Sequence, residues 1–260
     1  MPLSFPNVEE IRLIRSPLRE VVCQVRFPPI LRLAKEAPVE FQEQIRAHFP
    51  ILEIERPVLI EPEDLKAGTT VDLRMPVYRF HNQGKTQTAS LTADFYALST
   101  SAYRHWTDFA SDLEYVTKAA RTAHEIPYAT RIGLRYINFI DLTFIPSCRL
   151  ERIYSLLRPE LTTMLRTKVI TSPRYAMNQI VAADGEDQFT LRYGVAPKAD
   201  SSELGFVLDF DHYAEGQVGV EDLIARCERY HRVIYNAFRW CIRDNKLAAF
   251  EPVAAVEKGT

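Results

Sequence analysis

Glycine, cysteine and long apolar runs are all scarce in this chain of 260 residues. It has only nine glycines, and none falls in a G-x-x-x-x-G-K-[ST], G-x-G-x-x-G or G-x-S-x-G pattern, which excludes the common phosphate-cradling and nucleophile-elbow motifs. No apolar run approaches the roughly 18 residues of a membrane-spanning helix. No two of the four cysteines form a C-x-x-C pair, so buried thiols are expected instead of a metal or redox site: Cys23, Cys148, Cys227 and Cys241.

An excess of charge of either sign is also missing. The chain is 47% apolar and 25% charged, with a formal net charge of −2, which is typical of a globular domain. Because there is no general basic field, any site for a polyanion must be a local patch. The N-terminal segment Met-Pro-Leu-Ser-Phe-Pro lacks the basic and apolar regions of a secretory signal. These features predict a soluble, reduced, cytoplasmic protein without membrane contact.

The predicted elements follow the same order twice. The first half contains six predicted elements. They are a strand at residues 18–27, a helix from Pro38, extended segments at 51–60, 71–80 and 87–98, and a second helix from Thr107. The second half repeats this order. It has a strand at 131–141, a helical stretch at 149–166 (interrupted at Pro159), extended segments at 174–183, 188–196 and 204–213, and a last helix at about 220–245.

This repetition predicts an α+β fold with an internal duplication of β-α-β-β-β-α. An offset near 115 residues maps Asp94 and the helix after it onto Asp209 and the last helix. The halves are residues 1–128 and 129–250, followed by a frayed tail at 251–260. We expect them to form one continuous domain, an antiparallel sheet with helices packed on one face. The element order resembles TATA-binding-protein-like folds, and two ferredoxin-like sandwiches in tandem are the alternative.

Arginine and aspartate recur on one face of the predicted strands. In Arg131-Ile-Gly-Leu-Arg-Tyr-Ile-Asn138, the side chains alternate between an apolar face and a face that carries both arginines, as a strand requires. The same counting places further charged residues on that face: Arg26, Asp72, Arg74, Asp94, Arg192, Asp209 and Asp211.

Three interpretations of this charged face stay open. The first is cross-strand ion pairing that fixes register on a solvated or dimer-facing surface. The second is a binding surface on which guanidinium groups recognise phosphates or carboxylates. The third is a Mg²⁺ site built from three carboxylates, although the neighbouring arginines would compete with a cation. The second interpretation assigns anion contacts to Arg26, Arg131, Arg135 and Arg192, oriented by Asp94, Asp209 and Asp211.

Histidine and cysteine offer no stronger candidates. The six histidines show no metal-ligand spacing such as H-x-x-x-H. His212 follows the Asp209-x-Asp211 pair and has the chemistry of an acid or base, but a structural role is favoured. Cys227 and His231 are one helical turn apart, yet Cys227 lies on the apolar stripe of the predicted helix. No catalytic residue, cofactor or metal ligand is therefore predicted.

Three motifs occur in order along the chain: Val25-Arg-Phe-Pro-Pro-Ile-Leu31, the segment Ser90–Thr100 with Tyr103 and Trp106 after it, and Arg131–Asn138. Together they resemble an uncharacterised, sporadically distributed prokaryotic family of about 250 residues. The resemblance covers nearly the whole chain and implies no activity, cofactor or catalytic residue. A patchy distribution would suit genes on mobile elements, including toxin–antitoxin or phage-defence loci.

The leading hypothesis is a non-enzymatic binding protein that engages a protein partner or a small anionic ligand through its Arg/Asp face. Nucleic-acid binding on a concave sheet is the first alternative. A metal-dependent nuclease or phosphotransferase that uses Asp94, Asp209 and Asp211 is the second. Open sheet edges also favour pairing between copies, so a homodimer is compatible with this architecture.

Overall fold

The computed structural model describes residues 3–55, 58–59, 72–73, 75–145, 149–167, 169, 172–198 and 201–253, with side chains described at all of these except 58–59 and 72–73. Asp72, Arg74 and Cys148, which the sequence singled out, lie outside the described side chains, as does most of the predicted tail. The chain divides into two compact units. Unit 1 comprises Met1–Val21, Leu134–Ala214 and Arg226–Thr260, and unit 2 comprises Val22–Gly133 and Glu215–Ala225.

The fold class is α+β, as predicted, with antiparallel strands and few helices. The helices are α1 (Leu31–Lys35), α2 (Val39–Ile45), α3 (Trp106–Ala123) and α4 (Leu223–Cys241). The strands are β1 (Arg12–Leu13), β2 (Leu18–Arg26), β3 (Ile51–Glu55), β4 (Val58–Leu59), β5 (Asp72–Leu73), β6 (Val77–His81), β7 (Gln87–Leu91), β8 (Phe95–Thr100), β9 (Ala129–Ile140), β10 (Ala176–Asp184), β11 (Asp187–Pro197), β12 (Leu204–Val218) and β13 (Pro252–Val253). No described helix is long and apolar enough to cross a membrane.

Unit 2 contains the antiparallel strand order β8-β7-β6-β3. Its core forms where α2 and α3 place their apolar stripes against these strands, with Phe41 of α2 in an edge-on contact with Phe80 of β6 at 5.5 Å between ring centroids. Phe41 and Ile45 are buried, which confirms the apolar spacing of four that predicted this helix; Phe49 is buried too but lies beyond the end of α2 at Ile45.

Unit 1 contains the strand order β10-β11-β12-β9. The even-numbered residues of β12 from Phe206 to Ala214, including Leu208 and Phe210, are buried, and His212 stacks on Tyr230 of α4 with ring centroids 4.1 Å apart. Helix α4 therefore covers one face of these strands. The opposite face carries the odd-numbered residues of β12, as the two-residue period of a strand requires.

An extended N-terminal segment is fixed to α4 by side chains of that helix. The Val8 N–H donates to Asn236 Oδ1 at 3.2 Å, and the Ile11 N–H donates to the Tyr235 hydroxyl at 2.9 Å. Strand β1 then pairs with β13. The predicted frayed tail is thus wrong for Pro252–Val253, because these residues gain a strand partner from the other end of the chain.

Two further predicted elements differ from the structure. The helical stretch 149–166 consists of short 3₁₀ turns, Leu150–Ser155, Pro159–Leu161 and Met164–Arg166. Pro159 removes a backbone donor from a continuous helix, and Arg166 Nε donates to Thr162 Oγ1 at 2.7 Å within the last turn. The second predicted half therefore lacks its first α-helix. The internal duplication itself stays a prediction.

The other difference is the extended segment 87–98, which is a hairpin. Strands β7 and β8 pair antiparallel around a turn in which Thr92 Oγ1 accepts from the Asp94 and Phe95 N–H groups, at 3.2 and 3.1 Å. A threonine hydroxyl that binds the backbone two or three residues ahead is typical of turns and competes with a straight strand.

Candidate binding face in unit 1

Cross-strand register brings the predicted charged residues of unit 1 together. Gln179 of β10 lies opposite Arg192 of β11, and Arg192 lies opposite Asp209 of β12. Asp211 lies opposite Thr190 in the next row of the same face. These residues and Arg135 of β9 are called the Arg/Asp face of unit 1, on the side of the strands away from α4.

Asp209 is the centre of this face. Its Oδ1 accepts from Arg135 Nε and its Oδ2 from Arg135 Nη2, both at 2.7 Å, in a bidentate ion pair. Arg192 Nη1 lies 3.4 Å from Oδ2, and Arg192 Nε donates to Gln179 Oε1 at 3.0 Å. A bidentate guanidinium–carboxylate pair fixes direction as well as distance, so Asp209 sets the orientation of Arg135, whereas Gln179 and Asp209 together hold Arg192.

Burial and charge on this face are uneven. The Asp209 side chain is 6% exposed, whereas those of Arg135 and Arg192 are 43% and 35% exposed. The pKa of Arg135 is raised mainly by its hydrogen bond to Asp209, against partial burial, with further help from the charges of Asp209, Asp211 and Glu20. Three carboxylates thus act on the Arg135 guanidinium group, and Asp209 also pairs with Arg192, so the face does not carry an excess of positive charge.

Arg131 belongs to unit 2 and has a different environment. Its Nε lies 3.9 Å from Glu215 Oε1. A Cβ atom at Gly133 would lie 2.4 Å from Arg131 Nη1, so the guanidinium group lies flat over the glycine two residues ahead. The spacing Arg131-x-Gly133 therefore has a packing reason, which the sequence alone did not reveal.

Arg26 and Asp94 are also in unit 2. Arg26 is exposed, and its Nε donates to Gln24 Oε1 on the same strand at 3.2 Å. Asp94 was predicted on a strand, but it lies in the β7–β8 turn, where its Oδ1 accepts from Thr92 Oγ1 at 2.8 Å. Its equivalence to Asp209 therefore does not extend to local structure, since Asp209 is in the middle of a strand.

Carboxylates on these strands do not gather around a cation site. Across the residues that the structure describes, no group of three or more His, Cys, Asp or Glu side chains is placed to hold a metal ion. The oxygens of Asp209 instead accept from guanidinium groups. The geometry of unit 1 therefore favours ion pairing over metal chemistry at Asp209.

The histidines of unit 1 lie on the helix-covered side of the strands. His212 Nε2 is 2.9 Å from Asp184 Oδ2, while its Nδ1 is buried without a partner among the described residues. Burial lowers the pKa of His212, although Asp184 opposes this change. Protonation would create a buried, unpaired N–H at Nδ1, so neutral His212 is a structural donor to Asp184.

A second network of hydrogen bonds, around the buried side chains of Tyr136 and His231, was not predicted from the sequence. The Tyr136 hydroxyl is 2.9 Å from His231 Nδ1, and His231 Nε2 is 3.1 Å from Glu10 Oε2 in the N-terminal segment. An ionised glutamate only accepts, so Nε2 donates to Glu10; in the neutral imidazole Nδ1 then accepts from Tyr136. Cys227 is fully buried, which agrees with its predicted packing role. In the sequence, the only sign of these hydrogen bonds was that Tyr136 and His231 bring polar atoms to positions on the apolar faces of their strand and helix.

Comparison with known proteins adds no assignment. No protein-family model matches the chain, and no curated protein matches it. The class of protein is therefore defined by the fold and the face alone, as an α+β protein with a charged, partly exposed sheet surface. The resemblance to an uncharacterised prokaryotic family stays a prediction.

Proposed function

We propose that the chain is a non-enzymatic binding protein that engages a protein partner through the Arg/Asp face of unit 1. The observation that carries the proposal is that two partly exposed guanidinium groups are held in place around one buried carboxylate, Asp209, with Gln179 as the second contact of Arg192. A side chain that is already held in one geometry loses less conformational entropy when a partner binds. Arginine is also enriched at protein interfaces.

The charge balance supports a protein surface as the partner. Nucleic-acid binding depends on an excess of Lys and Arg that neutralises phosphates, but here three carboxylates already act on Arg135 and one of them, Asp209, also pairs with Arg192. A protein surface offers donors, acceptors and apolar groups together. Val181 of β10 is 52% exposed and shares a row with Thr190 and Asp211, so the same face also provides apolar contact.

The resemblance to a sporadically distributed family extends this proposal to a setting. A patchy distribution would suit genes that travel on mobile elements, so the partner is expected to be encoded beside this chain in a toxin–antitoxin or phage-defence locus. Support for this part of the proposal comes only from the resemblance.

The test is the exchange of Arg192 for glutamine. This change leaves the bidentate Arg135–Asp209 pair intact, so the fold should persist while one recognition group is lost. A matched control is Arg79→Gln, because Arg79 is also a partly exposed strand arginine, paired with Glu55 at 2.8 Å in unit 2. Wild type and both variants would be affinity-purified from the native host, and co-purified protein identified by mass spectrometry.

Binding to the purified partner then gives the decisive number. We expect Arg192→Gln to weaken affinity by at least about tenfold, as the loss of an interface arginine commonly does, and Arg79→Gln to leave it unchanged. Equal affinity for wild type and Arg192→Gln would contradict the proposal. Co-purified nucleic acid whose binding falls steeply with salt would contradict it too, and would favour phosphate recognition.

A further inference from the structure

Strand β10 is an edge strand of unit 1. It ends the strand order and pairs with β11 on one side. Among the described residues, no further backbone hydrogen bond joins β10 to another segment. Its four central residues, 178–181, are all exposed. Alternate residues of an edge strand point their N–H and C=O groups outward, where another strand can pair with them.

The composition of β10 does not protect this edge. Ile180 and Val181 are 50% and 52% exposed, and Tyr175 just before the strand is 69% exposed. From Ala176 to Asp184 the strand contains no Lys, Arg or Pro, and its single charge is the last residue. Charges, prolines and short length are the usual means by which proteins prevent pairing at an edge.

Strand β3 of unit 2 shows such protection. It also ends the strand order, but it has only five residues. Its Glu53 and Glu55 are ion-paired with His81 and Arg79, at 3.3 and 2.8 Å. The longer edge strand β10, by contrast, has no charge before its last residue.

The two ends of β10 carry opposite charges. Arg174 precedes the strand and Glu186 follows it, and both are exposed. When a strand pairs antiparallel with a copy of itself, the start of one copy lies beside the end of the other. We propose that β10 forms a homodimer interface in this way, with a two-fold axis at Ile180, the midpoint of the strand, so that all nine residues pair.

This register determines the contacts between the copies. Ile180 would lie opposite Ile180 of the second copy, in the row of Leu191 and Phe210, so these two side chains cover each other, whereas Val181 would lie opposite Gln179 and stay on the Arg/Asp face. The axis is perpendicular to the sheet, so the Arg/Asp faces of the two copies would point the same way and form one surface. The inference stands on the edge strand and does not depend on what that face binds.

The first test is the oligomeric state of the full chain by sedimentation and light scattering. Ile180→Lys places two lysines opposite each other on the axis and removes the apolar contact. We expect it to weaken dimerisation by roughly 100-fold or more while the circular dichroism spectrum stays unchanged. Leu52→Lys is the control, because Leu52 is an exposed apolar residue of the other edge strand, 40% exposed; it should leave the dimer intact.

The second test uses the end charges. Arg174→Glu and Glu186→Arg should each weaken the dimer by about tenfold, and the double variant should regain most of the loss, because each replaced charge then faces an opposite one across the axis. A wild-type protein that is monomeric at about 100 µM would overturn the proposal. So would a dimer that is unaffected by Ile180→Lys, or an edge that binds added peptide strands while the protein stays monomeric.

Discussion

Replacing Asp209 by asparagine tests whether this carboxylate is the fixed point of the Arg/Asp face. The change preserves shape but removes the charge that accepts from Arg135 and Arg192. Enclosed hydrogen bonds to charged groups contribute about 1.5–3 kcal/mol each, and fully exposed ion pairs about 0.2–1 kcal/mol. Because Asp209 is buried while the arginines are 43% and 35% exposed, we expect a loss of about 2 kcal/mol. For a chain of this size, Tm should fall by about 4–8 °C.

Urea unfolding followed by circular dichroism would measure this loss in a double-mutant cycle. Wild type, Asp209→Asn, Arg135→Gln and the double variant should give a coupling free energy of about 1–2 kcal/mol. The exposed Arg79–Glu55 pair is the matched control and should give less than about 0.5 kcal/mol. The reasoning is refuted if the two coupling energies are equal, or if Asp209→Asn leaves the free energy of unfolding unchanged.

Three further predictions concern buried and crowded positions. Burial lowers the pKa of His212 in the folded protein. The free energy of unfolding should therefore be highest above the unfolded pKa of about 6.5 and fall as pH drops below it. Urea titrations at pH 5 and 7 should show a smaller fall for His212→Gln than for wild type. Gly133→Ala should displace the Arg131 guanidinium group and lower the free energy of unfolding by about 1 kcal/mol. Gly84→Ala is the control, because a Cβ at Gly84 would have no neighbouring atom nearer than 3.7 Å. Thermal melting should show a smaller effect for Gly84→Ala. Gly194 has φ +150°, and a Cβ there would lie 1.8 Å from a β10 carbonyl oxygen. Gly194→Ala should therefore lower the free energy of unfolding by at least about 3 kcal/mol and speed amide hydrogen exchange in the β10–β11 hairpin. Exchange at the wild-type rate there would contradict this prediction.

Side-chain alternation predicted the part of the site that lies on long strands. The predicted strands 131–141, 188–196 and 204–213 correspond to β9, β11 and β12, because each has a buried apolar face with a period of two. Once the face is fixed, the residues opposite each other follow from the register. The association of Arg135, Arg192 and Asp209 on one face was therefore accessible from sequence.

Local hydrogen bonds limited the prediction elsewhere. Asp94 follows an apolar–polar alternation that continues from β7, yet Thr92 turns the chain by binding the backbone of the next residues. Gln179 was missed because an uncharged residue on an edge strand becomes informative only when its partner, Arg192, is known. The 3₁₀ turns near Pro159 were missed since their apolar spacing is close to that of an α-helix.

The way the two units draw on different parts of the sequence has a consequence for the order in which the chain can fold. Unit 1 is assembled from the first, middle and last parts of the sequence, whereas most of unit 2 is one stretch, Val22–Gly133. During synthesis, the N-terminal segment emerges long before the helix α4 side chains that hold it, Tyr235 and Asn236. We therefore expect unit 2 to gain structure on the ribosome first, and the N-terminal segment to find its place only after α4 has been released.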